Sequence, residues 1–262
     1  MEQGFIKTQE EIKIMRQGGK ILAMVLDELR RAVHPGVSTG ELNSLAEKLI
    51  AEHGGTPSFK SYQPDPEDIP FPTTLCTSIN DEVVHAPALP ARVLKNGDII
   101  CLDLGLKYPA GHGGLFTDAA ITIAVGKIDS EAERLMKVTA ESLEAGIAVI
   151  RPGNFISDIA RAIQEHVERN GFSVVRDLVG HGVGRFVHEP PRVPNFFDRH
   201  YKPVELKEGM TICLEPMVAA GRPEVKTLDD GWTVVTLDGE LSAHFEHTVA
   251  ITKNGHEILT KL

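Results

Sequence analysis

Apolar residues return at helical intervals in four stretches of the chain and crowd into short continuous runs between them. From Thr8 to Val33, Ile12, Met15, Ile21, Leu22, Val25, Leu26 and Leu29 fall on one helical face. Thr8 and Glu11 precede them at the spacing of a capping box, and Pro35-Gly36 ends the segment. A second helix is predicted from Ser38, with Glu41 three residues on; it buries Leu42, Leu45, Leu49 and Ile50 and stops at Gly54-Gly55. Residues 56–72 are rich in proline and aspartate, carry no period and read as a long surface loop. Strand-like runs follow at Leu75 to Ser78, Asp98 to Leu106 and Phe116 to Val125, the last two joined by a turn holding Pro109, Gly111, Gly113 and Gly114.

The second half repeats that order. Ser130 and Glu133 are read as capping a helix that runs to about Ile150. Arg151-Pro152-Gly153 follows, then a helix from about Ser157 to Asn170, and strands close the chain. Pro35-Gly36 and Gly54 recur as Pro152-Gly153 and Gly171 at a shared offset of 117 residues, with Leu42 falling on Ile159 and Ile50 on Val167. Each half is too small to bury its own apolar face well. The repeat therefore predicts one pseudo-symmetric catalytic domain over residues 1–262, with halves at about 8–125 and 130–252.

A chain of 262 residues, 42% hydrophobic and 24% charged, has the composition of a globular protein with a sizeable core. No apolar run is long enough to cross a bilayer, and Met1 to Lys13 is polar where a secretory signal would be apolar; a cytoplasmic location without membrane contact is expected. Cys76, Cys101 and Cys213 are odd in number, widely spaced and free of any C-x-x-C pair. They suggest neither a disulfide framework nor a thiolate zinc site and read as small hydrophobes. A formal net charge of −10 disfavours a broad nucleic-acid surface, and no direct nucleic-acid motif is present.

Some of that negative charge lies where charge is costly. Asp103 interrupts the apolar run Ile99 to Leu104, and Asp118 stands at the start of Ala119 to Val125; in a hairpin the two could face one side. Glu215 sits in Thr211 to Met217 and Glu246 in His244 to Ile251. A buried carboxylate demands a partner, and a cation between like charges removes their conflict. The stretch from Gly180 to Pro191 adds His181 and His188, seven residues apart on a glycine-rich scaffold that lets backbone approach a ligand. Four carboxylates suit Mn²⁺, Mg²⁺ or Fe²⁺, the imidazole adds Zn²⁺ or Co²⁺, and the set carries enough charge for two ions. Two metals can activate a water, polarise a carbonyl and clamp a tetrahedral intermediate, which is the chemistry of a dinuclear metallohydrolase.

At these residues the chain resembles the type I methionine aminopeptidases, from about Ile6 to Leu259. The resemblance is carried by Pro35-Gly36-Val37-Ser38-Thr39, Cys76 to Asn80 through His85, Gly97-Asp98-Ile99 through Asp103, Gly180-His181-Gly182, His188-Glu189-Pro190, Glu215-Pro216-Met217, Asp230 to Thr233 and Glu246-His247-Thr248. It implies an α+β pita-bread fold, two α/β halves around a central metal cleft. It implies Asp103, Asp118, His181, Glu215 and Glu246 as metal ligands, Asp118 and Glu246 bridging. His188 would contact the peptide and help stabilise the tetrahedral intermediate, His85 would hydrogen-bond near the substrate amine or the peptide group of the second substrate residue, and Glu215 would shuttle the proton. Cys76 and Trp232, with Phe59 and Tyr62, are the candidates for an apolar methionine pocket.

The implied reaction is attack of metal-bound hydroxide on the first carbonyl of nascent polypeptides, releasing the initiator methionine when the second residue is small. The implied partners are those N-termini at the ribosome, and a monomer is expected. The Tyr108 to Leu115 loop, which contains His112, and the Pro64-Asp65-Pro66-Glu67-Asp68 insertion are longer than the family usually has, and Ala86 follows His85 where glycine is usual. His112 reads as a solvated loop residue. The related X-Pro peptidases, which share the ligand set, normally carry an additional N-terminal domain; here the repeat begins within the first ten or so residues, which favours methionine. A non-catalytic scaffold on this fold is disfavoured because all five ligands and both histidines are present.

Overall fold

Thr8 begins the first helix in the way its spacing from Glu11 predicts: its hydroxyl accepts from Glu11 N at 3.2 Å while the Glu11 carboxylate accepts from Thr8 N at 2.8 Å. Ser38 and Glu41 form the same reciprocal box at the second helix. The third helix departs from expectation. Its cap is Asp129, one residue before Ser130, because the Asp129 carboxylate accepts from Ala132 N at 2.8 Å and puts a negative charge at the positive helix end. The computed structural model describes residues 5–262; the first four residues of the expected domain lie outside the described residues.

In chain order, α1 (Gln9–Ala32) and α2 (Thr39–Glu52) precede β1 (Thr56–Pro57), β2 (Cys76–Ile79), β3 (Glu82–Val84), β4 (Ile99–Tyr108) and β5 (Leu115–Ala124). Then α3 (Ser130–Ala148) and α4 (Ile156–Arg169) precede β6 (Ser173–Val174), β7 (Gly180–Gly182), β8 (Glu189–Val193), β9 (Thr211–Leu214), β10 (Met217–Ala219), β11 (Val225–Thr227), β12 (Val234–Thr236), β13 (Ser242–His244), β14 (Glu246–Thr252) and β15 (Gly255–Ile258). A nine-stranded antiparallel sheet runs β1-β4-β5-β14-β9-β7-β8, with β2 on β4 and β15 on β14. Two three-stranded sheets, β13-β10-β6 and β11-β12-β3, flank it. Residues 56–72 are not wholly a surface loop: Thr56 and Pro57 pair with Lys107 and Leu106, and Phe71 is buried because it carries an aromatic ring into the interior.

Strand alternation divides the large sheet into two chemistries. On β4, Ile100, Leu102, Leu104 and Leu106 join Leu22, Val25, Leu26 and Leu29 of α1 in one apolar cluster, while Cys101 and Asp103 point to the opposite face. On β9 and β14, Ile212, Leu214, Val249 and Ile251 meet Leu135, Val138, Ile159 and Ile163 of α3 and α4 in a second cluster. The helices thus cover one face, and the acidic residues are left on the other.

Asn43, inside α2, ties that layer to the residues just before β2. Its Oδ1 accepts from Thr74 N at 2.9 Å and from Leu75 N at 3.1 Å, and the residue is buried. Asn43→Ala leaves two buried donors without an acceptor, an expected cost of about 1–3 kcal/mol. Urea unfolding checks this, and a midpoint equal to wild type would remove Asn43 from that role.

Candidate metal centre

Five neighbouring strands each bring one candidate ligand to the open face. Asp103 on β4 and Glu246 on β14 both lie opposite Ala120 of β5, and Asp118 stands two residues from Ala120 on the same face. Glu215 is one residue past the end of β9, whose Leu214 pairs with His247, and His181 lies on β7 next to β9. Asp103, Asp118 and Glu246 hold carboxylate oxygens within 4.8 Å of one another. Buried side chains fix the backbone around them. Thr248 Oγ1 accepts from Asp118 N at 2.9 Å and donates to Asp118 O at 2.8 Å, and Asn195 Nδ2 donates to the Glu215 carbonyl at 3.0 Å.

His181 reaches the centre on a strand with no room for side chains beside it. A Cβ on Gly180 would collide with the Cys213 carbonyl and one on Gly182 with the Pro190 carbonyl, so these glycines serve close packing of backbone on backbone. The His181 ring is oriented by its own strand. Its Nδ1 lies 2.8 Å from the Gly182 carbonyl, which can only accept; Nδ1 therefore carries the proton and Nε2 presents a lone pair. That lone pair faces Glu215 Oε1 at 3.4 Å. Two acceptors face each other there, and a cation satisfies both.

His188 stands beside His181, ring centroids 4.4 Å apart, and its Nδ1 is 2.7 Å from Tyr62 Oη. The loop that carries it is fastened from below. Glu189 is buried against Lys7, and its other oxygen accepts from Phe186 N at 2.9 Å. Arg185 grips Glu11 of the α1 capping box through Nε at 2.8 Å and Nη2 at 2.9 Å, which holds the Glu11 carboxyl down at about 2. The N-terminus of α1 is thereby tied to the loop that aims His188.

All eleven residues singled out from the sequence line one cavity of about 400 Å³: the five ligands, His85, His188, Cys76, Trp232, Phe59 and Tyr62. A train of edge-on rings forms its apolar wall. Phe59 packs on Phe71 at 6.4 Å, Phe71 on Trp232 at 5.2 Å and Trp232 on His85 at 6.4 Å. Phe71, at the centre of that train, was not foreseen, and neither were Leu178, Met217 or the buried His244, whose Nε2 lies 4.0 Å from Glu215 Oε2. The His244-Phe245-Glu246 adjacency was the available signal for the last. His112 is exposed and lines no part of this cavity, in accord with a solvated loop residue. Cys213 is more than a small hydrophobe. Its Sγ lies within 4.8 Å of His181 and Glu246, although burial and the Glu246 charge push the thiol well up and keep it neutral.

Residues 13–253 match the sequence profile of Metallopeptidase family M24. The chain belongs to this family. Methionine aminopeptidase of Clostridium perfringens is 50% identical over 256 residues, covering 97% of this chain and 98% of that one. Methionine aminopeptidase 1 of Bacillus subtilis is 47% identical over 257 residues, covering 98% of each. The crystal structure of methionine aminopeptidase from Thermotoga maritima superposes with a TM-score of 0.91 at 43% identity, covering 98% of this chain and 99% of that one. The fold is the pita-bread fold of the M24 metallopeptidases. A prolidase from Pyrococcus furiosus, 24% identical with a TM-score of 0.75, shares the fold alone.

The donor set fits the metal that an M24 metallopeptidase requires. One oxygen on each of Asp103, Asp118, Glu215 and Glu246 is buried without a hydrogen-bond partner. Burial first, and mutual repulsion second, raise the carboxyls of Asp103, Glu215 and Glu246 well above the usual range. Burial raises Asp118 to about 7. It depresses His181 to about 3 and His85 to about 4, so both rings are neutral at pH 7.

In metal-free protein the carboxylates, with folded values raised, contribute stability below their unfolded values of about 4. They lose it as pH rises through the folded ones, about 7 for Asp118. The depressed histidines act in the opposite sense over part of that window, so the clean quantity is the gain on adding metal. Metal must displace the carboxyl protons. The rise in melting temperature with Mn²⁺ is expected to be small at pH 5 and to grow towards pH 8; a rise independent of pH would contradict this set of ligands.

Proposed function

We propose that this M24 metallopeptidase removes the N-terminal methionine of polypeptides whose second residue is small. The observation that carries the reading is the joining of a ring-lined apolar cavity to a cluster of unpartnered carboxylates and one oriented imidazole, in a chain about half identical to proteins named methionine aminopeptidase. Asp103, Asp118, His181, Glu215 and Glu246 would hold two divalent ions, Mn²⁺, Fe²⁺, Co²⁺ or Zn²⁺. When bound, such ions supply a Lewis acid and a water of lowered pKa.

The chain's own residues do the rest. Phe59, Phe71, Cys76 and Trp232 surround an unbranched apolar side chain and exclude water from it. A free, neutral α-amine at the end of that pocket would offer its lone pair to the metal that these residues hold; a formylated nitrogen has none to offer, so such a terminus would need prior deformylation. Glu215, which lines the cavity beside Asp103, Asp118 and His181, would take a proton from the attacking water and return it to the leaving amine. His188 is neutral, because burial lowers it, and Tyr62 steadies its Nδ1; its other nitrogen is left to hydrogen-bond the peptide and the oxygen that gains charge. His85, on a backbone at φ 61° and turned edge-on to Trp232, would hydrogen-bond the substrate amine or first peptide group, a reading its position in the cavity wall supports. On this reading the substrates are nascent chains met in the cytoplasm by a monomer of one catalytic domain. Among the described residues no helix is long and apolar enough to cross a membrane.

Hydrolysis of Met-Ala-Ser, Leu-Ala-Ser and Ala-Pro with each metal, before and after chelation, tests the assignment. Methionine release that chelation abolishes is expected; release that survives full chelation, or a preference for Ala-Pro, would overturn it. Glu215→Gln is expected to keep the fold by circular dichroism and to lose at least about 100-fold in kcat, at the low end of what proton transfer contributes. Tyr62→Phe removes one hydrogen bond to His188 and is expected to lower kcat/KM by about threefold to tenfold at unchanged melting temperature. Wild-type kinetics in Tyr62→Phe would show that His188 is oriented without it.

A further inference from the structure

Among the described residues Arg192 is the one lysine or arginine that lines the catalytic cavity. Register sets its place. In the β7–β8 pair Arg192 lies opposite His181, so both side chains leave the same face of the sheet, and the guanidinium stands on the cleft side one strand beyond the last ligand. Arg192 is exposed and pairs with no carboxylate among the described residues; its contact is with the Tyr201 ring, 6.0 Å from Cζ to centroid. Other arginines of this acidic chain hold carboxylates, Arg16 with Glu257 and Arg92 with Glu82. A guanidinium at the mouth of the active site stays open.

Arg192 also lines a second cavity of about 450 Å³, next to the first. Arg161, Arg199 and Lys202 line it as well, against one carboxylate, Asp198, which is itself paired with His200. Phe196, Phe197 and Tyr201 supply an apolar wall, with Arg161 stacked 3.9 Å over Phe197. A polypeptide whose first residue fills the catalytic cavity must leave by its mouth. An extended chain advances about 3.3 Å per residue and strands lie about 4.8 Å apart, so two residues past the scissile bond carry the chain from His181 to Arg192. The other neighbouring cavity, reached past Tyr62 and His188, offers Lys107 as its single lysine or arginine, against the four, Arg192 among them, that line the second cavity.

We propose that Arg192, backed by Arg199 and Lys202, reads the third and fourth residues of the substrate polypeptide and favours acidic side chains there. The proposal rests on the aminopeptidase reading and extends it from the first two substrate residues to the next two. A contact so far from the reacting bond is made equally in ground and transition states, so it acts on KM.

The test is methionine release by the metal-loaded full chain from Met-Ala peptides carrying two aspartates, two serines or two lysines at the third and fourth positions. At low salt kcat/KM is expected to be about threefold to tenfold higher for aspartate than for lysine, through KM, and the ratio is expected to shrink as salt is added. Arg192→Gln should flatten the ratio and Arg192→Glu reverse it, each compared with its own turnover of the serine peptide and checked by melting temperature; Lys107→Glu should leave the ratio in place. Wild-type turnover of the serine peptide without any charge preference overturns this proposal and leaves the aminopeptidase reading standing. A preference that survives in both Arg192 variants, or follows Lys107→Glu, overturns it too. Failure to release methionine even from the serine peptide takes down both readings.

Discussion

Four carboxylates buried in one cleft, with no lysine or arginine paired to any of them among the described residues, set the terms for the rest of the molecule. Desolvation and like charge both oppose this arrangement, and desolvation alone costs several kcal/mol per ion. The fold tolerates it because the charges are presented by a continuous ladder that cannot splay. β4 and β5 pair over their full length from Ile99–Ala124 to Tyr108–Leu115, and β14 and β9 extend the same ladder beyond them. Apolar burial on the opposite face, by two helix pairs, offsets the electrostatic cost.

The same economy of faces explains why the centre suits catalysis. Residues of alternate parity on one strand build the core and the site, so the candidate ligands inherit the rigidity of packed strands rather than the mobility of loops. Glu215 stands one residue past β9, and His85 and His188 come from irregular segments; that of His188 is restrained by the Lys7–Glu189 and Arg185–Glu11 pairs and by Tyr62. Burial keeps the imidazoles neutral and, in metal-free protein, raises the carboxyls, Asp118 to about 7. The neutral state is the one in which imidazole can coordinate a metal.

Much of the architecture was legible because it is locally encoded. The capping boxes at Thr8–Glu11 and Ser38–Glu41, the helical apolar periods and the long β4–β5 hairpin depend on residues a few positions apart. The acidic residues were conspicuous for the opposite reason, as Asp103 and Glu215 violate the apolar runs around them. Short strands such as β3, β6 and β11 were not legible, since two or three residues carry no period. Nor was the Asp129 cap distinguishable from Ser130, two good capping residues in adjacent positions.

By itself the sequence determined the helices, the principal hairpin and, through residues that break their own local pattern, which acidic side chains and imidazoles line the cleft. Only the tertiary structure decided which carboxylates share a face, because that depends on register between strands more than one hundred residues apart, as in Ala120 between Asp103 and Glu246. It also decided that Phe71 joins Phe59 to Trp232, that Tyr62 meets His188 rather than merely lining an apolar pocket, and that Arg192 faces the cleft opposite His181. Such contacts follow from loop closure and strand order, to which no local spacing in the chain gives access.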